Sequence, residues 1–156
     1  METTRPDNPG VIIRPPRLFL GALGLGLILD YFKPAPWLPM PVQYPVGLAL
    51  IAAGVALMVL AIGRFKAAGT NIPTPLPAVA LVDDGIYRHS RNPIYLAMTV
   101  IFLGLAILLN SLWLLLLLPA VLAVMHYGVI AREERYLADK FWGPYLSYKF
   151  RVRRWF

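Results

Sequence analysis

Two adjacent carboxylates, Glu133 and Glu134, follow His126 by seven and eight residues. Upstream, Gly85-Ile86-Tyr87-Arg88-His89-Ser90-Arg91-Asn92-Pro93-Ile94-Tyr95 concentrates basic, amide and phenolic side chains in one stretch. Asn followed by Pro is a favoured cap and first-turn pair, so a helix is predicted to start at Asn92-Pro93. The free N–H groups and positive dipole end of that helix, beside Arg91, suit a carboxylate or a phosphate. The plainer alternative is a capped helix with snorkelling arginines. At helical spacing His126 and Glu133 share one face, and Tyr127 and Glu134 share the next. Neighbouring carboxylates at the end of an apolar helix need cationic or hydrogen-bonding partners. Their plainer alternative is a solvated helix end on which Glu pairs with Arg. Gly143-Pro144 is predicted to stop this helix.

Other chemistries are excluded by composition. The chain has no cysteine, which removes disulfides, thiolate metal sites and a catalytic thiol. Its two histidines, His89 and His126, lack partners at the spacing of a zinc site, so no metal is expected. A net charge of +7 would fit nucleic acid, but the placement of the basic residues has a simpler cause in membrane topology, and no nucleic-acid partner is expected.

The elements that position these residues are apolar. Hydrophobic residues make up 58% of the 156, too many for an ordinary water-soluble domain. Charge-free apolar runs cover residues 18–29, 46–63 and 92–131, without strand-like alternation. One helical crossing takes about 20 residues, so the last run holds two, with a tight outer turn at Asn110-Ser111. The first run spans the bilayer only if it takes in residues 16–32. Fourteen of the fifteen Lys and Arg, from Arg5 and Arg14 to Arg154, then fall on one side, and Lys33 alone on the other. The positive-inside rule places both termini in the cytoplasm.

The expected fold is therefore an all-α integral membrane protein of about four transmembrane helices with a cofactor site at the cytoplasmic face. Residues 1–156 form one domain. Gly21, Gly24 and Gly26 lack the preceding strand of a dinucleotide loop and are read as helix-packing positions. Residues 30–44 are read as an outer loop with Trp37 and Tyr44 at the interface. The apolar runs carry no acidic or basic side chain within the bilayer, which disfavours a transport pathway.

Taken together, Ala68-Gly69-Thr70-Asn71, Ala80-Leu81-Val82, the stretch from Gly85 to Tyr95, Glu133-Glu134, Tyr145, Tyr148 and Arg153 resemble the isoprenylcysteine carboxyl methyltransferase family, which is related to the phospholipid methyltransferases. The resemblance covers residues 64–154. It rests on an R-(H/N)-P-x-Y element followed, after two membrane helices, by E-E-x-x-L. It implies S-adenosylmethionine as cofactor, with contacts at Val79, Ala80, Leu81, Val82, Tyr87, Asn92, Pro93, Ile94, Tyr95 and Glu134. Arg91, His126 and Glu133 join this candidate site, with Glu134 and Arg91 as the candidate catalytic pair. Asn92 stands where eukaryotic members commonly have histidine. Ile130 stands where the prenylcysteine enzymes have an arginine for the substrate carboxylate, so a prenylcysteine acceptor is not expected. The implied reaction is in-line methyl transfer to an oxygen or nitrogen of a lipid or other amphipathic acceptor, in the cytoplasmic membrane of a bacterium or archaeon. Two other classes stay open: a nicotinamide-dependent membrane reductase on a related scaffold, and a non-catalytic membrane interaction protein.

Overall fold

A computed structural model describes residues 7–72 and 76–155; Arg5, counted above for topology, lies outside them. All regular structure among the described residues is helical. Helix α1 (Pro15–Phe32) opens on a Pro-Pro pair whose fixed φ suits a first turn. Helix α2 (Met40–Ala67) begins inside the expected outer loop, because Pro41 is tolerated in the first turn and the following residues are apolar. Its far end closes as a Schellman motif: Gly69 takes φ +63°, Thr70 N donates to Phe65 O at 3.2 Å, and Gly69 N to Lys66 O at 3.1 Å.

Helix α3 (Pro93–Leu108) starts at the expected place. It packs along α2 through three glycines. A Cβ on Gly47 would lie 2.8 Å from the Leu108 backbone, one on Gly54 3.0 Å from Ala97 O, and one on Gly104 2.9 Å from Ile51 N. Only glycine permits that approach. In α1, by contrast, a Cβ would meet nothing at Gly21 or Gly24; Gly26 alone abuts a partner, the Leu114 side chain. The helix-packing reading of that trio therefore holds for one residue of three.

The expected turn lies between α3 and α4 (Leu112–Val124), with Asn110 at φ 50° and Ser111 as the N-cap of α4. Asn110 Oδ1 accepts from Trp37 N (2.9 Å) and Leu38 N (2.8 Å), and its Nδ2 donates to Leu38 O (2.8 Å), tying the two turns at this end together.

Helix α4 continues through a π-helical turn, Met125–Ile130, into α5 (Ala131–Arg151). The wider i→i+5 turn absorbs an extra residue and advances the register. His126 consequently reaches the partner of Glu134, and Tyr127 is 74% exposed rather than sharing Glu134's face. The helix is interrupted at the expected place, directly before Gly143-Pro144. The chain breaks at Trp142 (φ 31°, ψ −110°) and resumes helical geometry to Arg151, which brings Tyr145 and Tyr148 back to the bundle.

Two helical stretches are long and apolar enough to cross a membrane: Met40–Ala67 and Leu112–Arg151, the second before its break at Trp142. The apolar α3 has 16 residues, and α1 includes Arg17 and Asp30 among its 18. One apolar cluster joins Phe19, Phe102, Leu114, Val121 and Met125; a second, of Ala61, Val82, Tyr87, Tyr145, Tyr148 and Val152, lies against the polar end.

Candidate functional site

At the end of the bundle where α2 finishes and α3 begins lies a cavity of about 510 Å³. Four stretches wall it: the start of α1, the segment after α2, the first turns of α3, and α5.

Glu134 is the hub. Arg154 grips it in a fork, Nε to Oε1 at 2.9 Å and Nη2 to Oε2 at 2.7 Å. Arg91 Nη2 donates to Oε1 at 2.9 Å, and Lys149 Nζ stands 3.7 Å from Oε2. Bidentate, charge-assisted bonds are the strong kind, and only such convergence offsets the desolvation of a carboxylate whose side chain is 8% exposed. Arg154 Nη1 also lies 2.8 Å from His126 Nε2. His126 therefore braces Arg154 and does not line the cavity.

Glu133, one residue away, has the opposite surroundings. It lines the cavity, accepts a hydrogen bond from Tyr95 Oη at 2.6 Å, and has no cation within ion-pair distance among the described residues. Glu133 is thus the carboxyl group of this site without a cationic partner among the described residues, and Glu134 the one held by cations.

Asn92 precedes α3 as expected but does not cap it with its side chain; Nδ2 donates to Arg154 O at 3.0 Å instead, and Asn92 N donates to Ser90 Oγ at 3.2 Å. Arg91 N donates to Arg153 O at 3.1 Å and Arg91 Nη1 to Lys149 O at 3.1 Å. The stretch before α3 is therefore stitched to the end of α5, and the two halves of the sequence pattern meet. Arg91 Nε is left buried without a hydrogen-bond partner among the described residues.

Ala80, Leu81, Val82, Tyr87, Pro93, Ile94 and Tyr95 line the cavity with Arg91, Asn92, Glu133 and Glu134. Val79 does not; it is 66% exposed, and its N–H is fixed by Thr70 Oγ1 at 2.9 Å. Tyr87 is buried, which pushes its phenol well above the ordinary range and keeps it protonated. Tyr148 Oη holds the Tyr87 carbonyl at 2.8 Å.

The sequence pattern missed Arg154 and Lys149, which carry no signal beyond membership of a basic tail, and Arg14, Arg17 and Tyr136 in the wall. Ile130, the position compared with the prenylcysteine enzymes, is fully buried in the π-helical turn and outside the cavity. Arg132 does not replace it, since its Nη1 donates to Gly10 O at 3.0 Å.

A helical membrane protein with a large, partly polar cavity at one end of its bundle, lined by converging carboxylates and arginines, is the class these features define. The chain belongs to the phospholipid methyltransferase family, whose sequence model matches residues 42–143, about two thirds of its length. It is accordingly a membrane methyltransferase of a family that acts on lipids. No curated protein and no solved structure matches it. The family match takes in all but the first two residues of α2, earlier than the expected start at residue 64, and ends before Tyr145, Tyr148 and Arg154.

Proposed function

We propose that the cavity binds S-adenosylmethionine and that the protein transfers its methyl group to a nitrogen or oxygen of a lipid acceptor at the cytoplasmic membrane face. Glu133 carries this reading: a carboxyl group in a cavity, bonded to one phenol and without a cation among the described residues, is completed by a ligand whose positive centre favours its ionised form. The cofactor fits the residues present. The volume is that of a small-molecule site, Arg91 Nε is an unused buried donor for a carboxylate, and Tyr87 is a protonated phenol in the wall.

When bound, S-adenosylmethionine supplies an electrophilic methyl on a positively charged sulfur. The protein's part is to bind, orient and exclude water. Glu133 stands opposite positive charge. Glu134 instead fixes Arg91 and Arg154, so that Arg91 and the first turn of α3 receive the carboxylate end. Tyr95 keeps the Glu133 carboxylate in one orientation. For an amine acceptor, Glu133 is also a carboxyl group in the cavity wall able to take up the departing proton.

Four crossings with both termini in the cytoplasm suit this placement. Fourteen of fifteen basic residues then share the cavity side, and α1 and α3 complete the bundle beside the two long helices. Reporter fusions at Asn110 should report the outer face, and fusions after Phe156 the cytoplasm; an inner signal at Asn110 would sink this topology. Calorimetry on detergent-purified protein should show S-adenosylhomocysteine binding and no NADPH binding. The reverse result would favour the reductase alternative. Radiolabelled methyl transfer should give little or no product with a farnesylcysteine analogue. Ile130→Arg should not create that activity, because the new side chain would enter packed core.

A further inference from the structure

After the break at Trp142, residues 143–151 present two different faces. Tyr145 and Tyr148 face the bundle, pack against Ala61, Phe65 and Tyr87, and wall the cavity. On the opposite side Leu146 and Phe150 stand one turn apart, with Trp142 leading into them, and they are 41%, 94% and 73% exposed. Among the described residues Phe150 buries almost none of its surface, so it gains almost no hydrophobic free energy from them. Basic side chains flank this strip. Lys149 reaches towards Glu134, Arg151 makes an exposed pair with Asp83 at 3.4 Å, and Arg153 is exposed with no side-chain partner among the described residues.

The position of the strip indicates what covers it. Ala61 and Phe65 belong to the final turns of α2, a helix long enough to cross the bilayer, so this segment sits where a span emerges into the headgroups. Large aromatics on one side with Lys and Arg around them is the chemistry of a helix lying in an anionic lipid surface. Most of the segment lies beyond the residues matched by the family.

We infer that residues 142–153 form an interfacial anchor that docks on anionic lipid at the cavity end of the bundle, and that docking holds Tyr145 and Tyr148 in place as the cavity wall. The second clause rests on reading the cavity as the cofactor site; the first does not. Opposite faces of two helical turns are involved, so any tilt of the anchor displaces the tyrosines with it.

Because the chain has no native cysteine, Leu146→Cys and Phe150→Cys each accept a single nitroxide. The full chain is placed in nanodiscs of phosphatidylcholine or of equal parts phosphatidylcholine and phosphatidylglycerol. Both labels should relax more with oxygen than with a water-soluble nickel chelate, and lie deeper in the anionic discs. Labels open to the nickel chelate in both lipids, or shielded from both reagents as in a protein contact, would overturn the docking. S-adenosylhomocysteine binding then tests the coupling. A Leu146→Ser, Phe150→Ser chain should bind it about tenfold more weakly in the anionic discs, and equal affinity would overturn the coupling. If even the unmodified chain fails to bind it, the cofactor reading falls, while the nitroxide depths still decide the docking.

Discussion

The α2–α3 interface and the cavity end are held together by different forces. Along α2 and α3, Gly47, Gly54 and Gly104 let backbones touch, and no charge takes part. At the cavity end three cations converge on Glu134, and the main chains of Arg153 and Arg154 are bonded to Arg91 and Asn92. Lipid tails are as apolar as leucine, so at membrane depth shape complementarity does the holding. Where the bundle opens, directional charge pairs both hold the helices and define a site. The two regions should therefore fail differently when altered.

The largest effect is expected at the hub. Glu134→Gln leaves Arg91 and Arg154 without their carboxylate and should lower stability by about 3 kcal/mol or more, with S-adenosylhomocysteine binding lost. A denaturant titration alongside calorimetry checks both, and a variant of unchanged stability would show that the ion cluster is dispensable. Next, Gly47→Ala forces a Cβ against the Leu108 backbone and should cost about 2 kcal/mol. The fraction that stays folded should bind cofactor normally, and an altered affinity there would show that the two regions are not separable.

Glu133→Gln sharpens the contrast from the other side. It removes no ion pair and keeps an acceptor for Tyr95, so stability should change by less than about 1 kcal/mol. Affinity for S-adenosylmethionine should nevertheless fall, and fall more than affinity for the uncharged S-adenosylhomocysteine. Equal losses for both ligands would remove the charge role from Glu133. The smallest effect is expected in α1, where Gly24→Ala meets open space and should be neutral or stabilising by up to about 1 kcal/mol in the same titration. A loss at Gly24 as large as at Gly47 would erase the distinction between packed and unpacked glycines.

Much of this was legible from one-dimensional pattern. Apolar runs with a one-sided basic distribution marked helices, and Asn92-Pro93 marked the start of α3, because length, charge and the φ of proline are local properties. The type and spacing of Arg91, Asn92, Tyr95, Glu133 and Glu134 marked the candidate site, and all five line the cavity. Which carboxylate is neutralised was not legible. That depends on Arg154 and Lys149, which approach Glu134 only because the chain breaks at Trp142 and turns back. Likewise the partner of His126 depends on a π-helical turn, which no apolar periodicity announces. Composition and spacing determined the helices and the residue types of the site; which side chains pair was decided by tertiary structure, since a break or an extra residue per turn moves side chains by several ångströms without altering the local pattern that sequence records.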